Sequence, residues 1–198
     1  MRVTVGNLKG GTAKTTTAVY LAMGLSREGR TLLIDADPQG SALDWSEHAE
    51  DFPCTVIPWA TNDLAKRVAG VAGDYRHIVI DTAPGLDAVL RQALLVTDQL
   101  IIPVAPSPMD IRRLPPTFRL AAEVDSLSPV YASVLLTKVR ERTRSSVEAR
   151  DYLSGLDLPV MDAETHLWES YAMSWGSTPK DLGEYQSVLA ELKAEVAV

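Results

Sequence analysis

The chain has 198 residues, 46% of them apolar, with a formal net charge of −7, an isoelectric point near 5.0 and a single cysteine, Cys54. That length and apolar content suit one domain with a real core, the lone cysteine excludes an internal disulfide or a cysteine metal cluster, and the acidic balance confines any nucleic-acid contact to a local patch. No apolar run approaches the ~18 residues of a membrane span, and the first residues lack the charged-then-apolar order of a signal peptide, so a cytoplasmic protein is expected.

Short β-branched runs alternate with longer helical patterns, which predicts a doubly wound α/β fold, a mostly parallel sheet flanked by helices on both faces. Residues 3–5 read as the first strand and 15–25 as the first helix, with Ala18, Leu21, Ala22 and Leu25 spaced for a buried face. Between them lies Lys9-Gly10-Gly11-Thr12-Ala13-Lys14-Thr15-Thr16. A buried strand, a glycine-rich turn and a helix N-terminus in that order gather backbone N–H groups around one point, and the helix dipole adds positive potential, so the point suits a phosphate. There the Lys14 ammonium can reach the β and γ phosphates, and the Thr15 hydroxyl can ligate Mg²⁺. Against the generic pattern G-x-x-x-x-G-K-[ST], Leu8 replaces the first glycine and Ala13 the last.

Residues 31–35 predict a fully buried strand opening into Asp35-Ala36-Asp37-Pro38-Gln39-Gly40. A short helix over 41–49, a strand over 55–57 and a helix over 63–71 follow. Residues 77–81 form a clearer strand, again ending in a carboxylate, before the turn Thr82-Ala83-Pro84-Gly85. Both strands deliver an aspartate to the edge that carries the phosphate loop, where doubly wound folds bind ligands. Downstream the patterns predict strands over 100–104, 130–137 and 158–161, and helices over 110–124, 145–153, 164–175 and 182–196. Pro103, Pro106, Pro108, Pro115 and Pro116 cluster around a strand exit and a helix start, where proline costs least. Trp168, Tyr171, Ala172 and Trp175 at helical spacing predict a core-facing stripe. His48, His77 and His166 have no ligand spacing. Over 138–150, Lys138, Arg140, Arg142, Arg144 and Arg150 face only Glu141 and Glu148, which suits either a solvated face or a patch for a phosphate backbone.

The order K-G-G-x-x-K-T-T over 9–16 resembles the deviant Walker A box of the ParA/MinD/NifH-type ATPases. Leu33-Ile34-Asp35-Ala36-Asp37-Pro38-Gln39-Gly40 resembles the D-x-D-P-Q-G segment of ParA proteins, and Ile80-Asp81-Thr82-Ala83-Pro84-Gly85 their D-x-P-P-G box, with Ala83 for the first proline. The likeness is strong over 1–105 and looser over 130–180. It implies a single ParA-like P-loop ATPase domain over 1–198 that uses ATP and Mg²⁺. ATP would be bound by Lys9, Gly10, Gly11, Thr12, Ala13, Lys14, Thr15 and Thr16, with Thr137 in the base-binding region. The resemblance makes Lys9, Lys14 and Asp37 the catalytic set. Lys9 crosses a dimer interface to the other subunit's nucleotide, and Asp37 orients the attacking water one water away from the metal. Thr15 ligates that metal, Asp81 holds it through water as the Walker B carboxylate, and Asp35 supports the loop.

With no DNA-reading segment before the loop, the chain resembles the short ParA type. That implies an ATP-bound homodimer that binds DNA without sequence preference, here through Arg140, Arg142, Arg144 and Arg150, and that works on the nucleoid with a ParB-type centromere-binding partner to segregate plasmid or chromosomal DNA. The alternatives are a cargo-positioning ATPase of the same family, or a metabolic ATP-dependent enzyme on the same scaffold. A membrane-bound MinD-type regulator is disfavoured because 181–198 set Asp181, Glu184, Glu191 and Glu195 against Lys193 alone, and an anionic membrane would repel that tail. A nitrogenase reductase fails on cysteine count. One stretch departs from the family: 162–175, basic in many relatives, carries Asp162, Glu164 and Glu169 and no Lys or Arg.

Overall fold

The strands are β1 (Arg2–Val5), β2 (Thr31–Ala36), β3 (Thr55–Pro58), β4 (His77–Thr82), β5 (Gln99–Val104), β6 (Tyr131–Val139) and β7 (Val160–His166). In the computed structural model, which describes residues 1–141 and 143–196, they form one seven-stranded sheet in the order β3-β2-β4-β1-β5-β6-β7, with every pairing parallel. Every residue of β2, β4 and β5 is buried. A parallel strand covered on both faces has no wet side, so it reads as an unbroken apolar run.

Alternate strand residues serve opposite faces. Val3, Val5, Leu33, Val79, Ile101 and Leu135 pack with helices α1 (Lys14–Ser26), α2 (Ser41–His48) and α9 (Tyr185–Val196). On the other face, Leu32, Ile34, Ile78 and Ile80 meet α3 (Leu64–Val71) and α4 (Asp87–Leu94). Leu100, Ile102, Val134 and Leu136 meet α4, α5 (Pro108–Ile111), α6 (Pro115–Asp125) and α7 (Arg144–Ser154). Helix α1 is buried along nearly its whole length, and Gly24 marks its close approach to α9: a Cβ there would lie 2.1 Å from Leu189 Cδ1 and 2.9 Å from Leu182 Cδ1.

Four expectations change. The helix expected over 110–124 is two, α5 and α6, because Pro115 and Pro116 begin α6 and proline cannot continue a preceding helix. The strand expected over 158–161 runs instead from Val160 to His166, its register on β6 pairing Val134 with Val160 and Val139 with His166. That pairing takes the start of the helix expected over 164–175, leaving only the short α8 (Glu169–Met173). The core-facing stripe therefore holds only at Tyr171, which packs against Tyr20 and Tyr185; Trp168 is 42% exposed and Trp175 51%, Trp168 lying against His166 and Trp175 against His48. Helix α4 had no counterpart in the sequence reading. Among the described residues no helix is long and apolar enough to cross a membrane.

Candidate functional site

The sheet register assembles the site. Val5, the last residue before the loop, pairs with Asp81, and Asp81 pairs with Asp35, so loop and carboxylates leave the sheet at one level. The loop is tied down from several sides. Buried Asn7 donates to Pro103 O at 2.9 Å and accepts from Lys9 N at 2.9 Å. Thr82 Oγ1 donates to Val5 O at 3.0 Å, Thr137 Oγ1 to Thr12 O at 3.1 Å, and Lys138 Nζ to Gly11 O at 2.7 Å. Gly11 and Ala13 both take left-handed backbone, with φ of 76° and 68°. The generic pattern's glycine at position 13 answers to that conformation, which costs alanine roughly 1–2 kcal/mol. Ala13 leads directly into α1, whose first N–H groups have no acceptor within the helix and add to the positive end of its dipole.

The charges around this cradle are arranged in depth. Lys14 is 7% exposed and donates to Lys9 O at 2.9 Å. Burial holds its pKa below the usual lysine range, partly offset by Asp81 and Asp37. Asp81 is fully buried, and neither carboxylate oxygen has a hydrogen-bond partner. Burial pushes its pKa up to about 7; the Thr15 hydroxyl and Lys14 pull it down, while Asp35 and Asp37 push it further up. A sealed carboxylate beside a hydroxyl and a lysine could hold a hydrated Mg²⁺ on a phosphate. Asp37 is partly buried on the loop after β2 and accepts from Gln39 N at 2.9 Å. Asp35 is spent structurally, accepting from Ala42 N and Leu43 N at 2.9 Å and from Asp37 N at 3.1 Å. Lys9 folds back over its own loop, 2.7 Å from Asp110 Oδ1 and 3.3 Å from Gly10 O.

Beside the loop a cavity of about 270 Å³ opens between Ala13 and Thr16 on one side and Lys138, Leu167, Trp168 and Tyr171 on the other. Glu184 fixes its wall, accepting from His166 N at 2.7 Å and Trp168 Nε1 at 3.1 Å and sitting 2.6 Å from His166 Nδ1. The expected base contact, Thr137, does not line this cavity. It is 0% exposed and braces the loop from beneath; an irregularity in the register of β6 between Leu136 and Val139, with Lys138 at a φ of 56°, breaks the alternation there, and the position at the cavity falls to Lys138, which sequence reasoning left in the basic run. Of the expected DNA-binding arginines, Arg140 and Arg144 are exposed, and Arg142 lies outside the described residues. The fourth, Arg150, is engaged within the fold: its guanidinium donates to Met161 O at 2.7 Å and pairs with Glu164 at 2.9 Å, tying α7 to β7. Asn7 and Asp110 also went unread, having no local motif.

The sequence matches the CobQ/CobB/MinD/ParA nucleotide-binding domain over residues 3–169. The maintenance of carboxysome distribution protein A of Gloeobacter kilaueensis is 37% identical over 171 residues, spanning 85% of this chain and 78% of that protein. The chromosome-partitioning ATPase Soj of Thermus thermophilus is 31% identical over 136 residues, spanning 52% of this chain and 54% of its own length. Among solved structures, a plasmid partition protein from Borrelia burgdorferi superposes with a TM-score of 0.73 at 22% identity over 98% of both chains. Cobyrinic acid a,c-diamide synthase from Mycobacterium smegmatis, with bound ADP and magnesium, does so with a TM-score of 0.78 at 21% identity over 98% of this chain and 96% of that one. At these identities the structures speak for the fold alone.

Proposed function

This chain belongs to the CobQ/CobB/MinD/ParA nucleotide-binding family, and from that premise we propose that it is a Mg²⁺-dependent ATPase whose ATP-bound form is a two-fold dimer, a partition protein that segregates plasmid or chromosomal DNA with a ParB-type partner. The observation that carries the reading is the convergence of Lys14, Thr15, Asp37 and Asp81 on one sheet edge, with both oxygens of buried Asp81 unpartnered. Phosphoryl transfer asks a protein for positioning and charge neutralisation more than for covalent work. Lys14 exchanges the Lys9 carbonyl for phosphate oxygens, and residues 10–16 cradle the chain of phosphates. Thr15 and, through water, Asp81 would hold Mg²⁺, which when bound neutralises charge on the phosphate oxygens. Asp37 orients the attacking water, and Lys9 reaches the partner subunit's nucleotide. The cavity beside Lys138 and Trp168 suits the base, and exposed Arg140 and Arg144, with Arg142, suit DNA phosphates. On this proposal the protein works in the cytoplasm, on the nucleoid.

A second reading, a positioning ATPase for another cargo, is supported by the relative at 37% identity. It uses the same dimer and the same chemistry, and differs in the partner. The test of the shared core is light scattering with ATP and with ADP, alongside phosphate release. Wild type should double its mass only with ATP. Asp37→Ala should stay dimeric with ATP while turnover drops by about 100-fold or more, the usual scale for a lost proton-handling group. A wild type that remains monomeric with ATP removes the sandwich dimer, and normal turnover in Asp37→Ala moves water orientation to another residue.

A further inference from the structure

We infer that Glu184 positions the wall against which the nucleotide's base lies, acting through His166, Trp168 and Tyr171, and so decides how much the base adds to the affinity that the phosphates supply; the inference rests on the nucleotide reading proposed above. The segment that forms this wall has little of its own to hold it. After His166 the chain leaves the sheet, α8 has only five residues, and a helix that short does not sustain itself. Trp168 is 42% exposed, so core packing does not fix its ring. One carboxylate does. Glu184 Oε2 accepts from His166 N at 2.7 Å and from the Tyr171 hydroxyl at 3.4 Å, while Oε1 accepts from Trp168 Nε1 at 3.1 Å and lies 2.6 Å from His166 Nδ1. Glu184 N in turn donates to the Tyr171 hydroxyl oxygen at 2.9 Å.

Glu184 can act this way because it is itself anchored. It stands directly before α9, whose Tyr185, Val188, Leu189 and Leu192 are buried in the core shared with α1. The turn into α9 is closed by Asp181 Oδ1, which accepts from Gly183 N at 2.9 Å and Gln186 Nε2 at 2.7 Å. The next residue, Tyr185, lines the same cavity, and its hydroxyl lies 3.1 Å from Thr17 Oγ1 on α1. The helix that opens at the phosphate loop and the residue that holds the base wall thus belong to one packed unit. The loop alone reads phosphates, which any polyphosphate offers. A base stacked on an aromatic ring adds about tenfold or more, and the gain is full only where the ring is in place before the ligand arrives. Two carboxylate oxygens offer about four lone pairs, and here four groups address them. Glutamine would keep one oxygen and set an amide N–H in place of the other, so the wall would lose part of its hold while the side chain kept its shape. Glu184 is therefore a positioning residue, and its effect belongs to the base alone.

The test titrates the whole chain, by calorimetry with Mg²⁺, with ADP and with inorganic pyrophosphate, two ligands that share a diphosphate and of which only ADP carries a base. Glu184→Gln should weaken ADP about tenfold and leave pyrophosphate within about twofold of wild type. Trp168→Ala should show the same split, and adding Glu184→Gln to it should cost little more, because the carboxylate acts through that ring. Equal losses for the two ligands would mean that Glu184 holds the fold rather than the wall, and would overturn the inference. So would an unchanged ADP affinity, or losses from the two substitutions that simply add. Failure of the nucleotide reading looks different, since it is seen before any substitution is made: wild type would bind neither ligand, or would bind pyrophosphate as tightly as ADP.

Discussion

Asp81 is a carboxyl group shut away from water with the Thr15 hydroxyl as its nearest donor, and a charge in that position costs stability until a cation arrives. Its folded pKa, near 7, lies above the unfolded value of 3.8, so folding favours the protonated form. The stability this contributes is complete below pH 3.8, and is lost as pH rises to about 7, by about 1.4 kcal/mol per pH unit at most, after which the curve is flat. Buried His77 works in the opposite sense: burial holds its pKa below the usual histidine range, with the terminal amine and Arg76 adding to the effect, so it costs stability as pH falls. The comparison that isolates Asp81 is therefore the difference between wild type and Asp81→Asn. Urea denaturation of nucleotide-free protein at pH 5, 6, 7 and 8 should show wild type losing ground to Asp81→Asn up to pH 7 and parallel to it above. Parallel behaviour throughout would mean that Asp81 is ionised and satisfied in the free protein.

Helix α1 carries the phosphate loop at its N-terminus and α9 along its flank, and Gly24 sets how closely the two approach. Alanine is the better helix former by about 1 kcal/mol, but a methyl group forced into Leu182 and Leu189 costs about 1–3 kcal/mol. Gly24→Ala should therefore lower stability by ~1 kcal/mol in a denaturant melt, and a gain would mean that α9 can move away freely. What the sequence disclosed follows the same logic of packing. Strands β2, β4 and β5 were legible because burial on both faces writes an apolar run, and Lys14, Thr15, Asp37 and Asp81 because each lies in a short local motif. Strand β7 was legible only at its start: after Val160-Met161 the run Asp-Ala-Glu-Thr-His is mostly polar, and only its pairing with β6 makes it a strand. Asn7 and Thr137 act on partners 96 and 125 residues away, and Asp110 likewise meets Lys9 only in the fold, so no window of sequence contains these interactions.

On the whole molecule, the proposed two-fold dimer would present its cationic patch twice, and nucleotide state would become DNA affinity through avidity. Log affinity for duplex DNA should fall with log salt by ~0.9 per phosphate neutralised, and Arg140→Ala/Arg144→Ala should make that slope shallower by roughly 2–4 across the dimer. Arg150→Ala should leave the slope alone and weaken the fold instead, since its guanidinium binds β7. Mobility shifts on two unrelated duplexes with ATP and ADP decide it; binding confined to one duplex, or a double mutant with the wild-type slope, counts against the patch. The sheet order has a further consequence, for synthesis. β1 lies between β4 and β5, so its neighbours begin at His77 and Gln99, long after its own residues leave the ribosome. The wall of the neighbouring cavity waits longer still, for Glu184. The phosphate loop is thus translated first and completed last, and a nascent chain has to keep Val3-Thr4-Val5 from other partners until most of the protein exists.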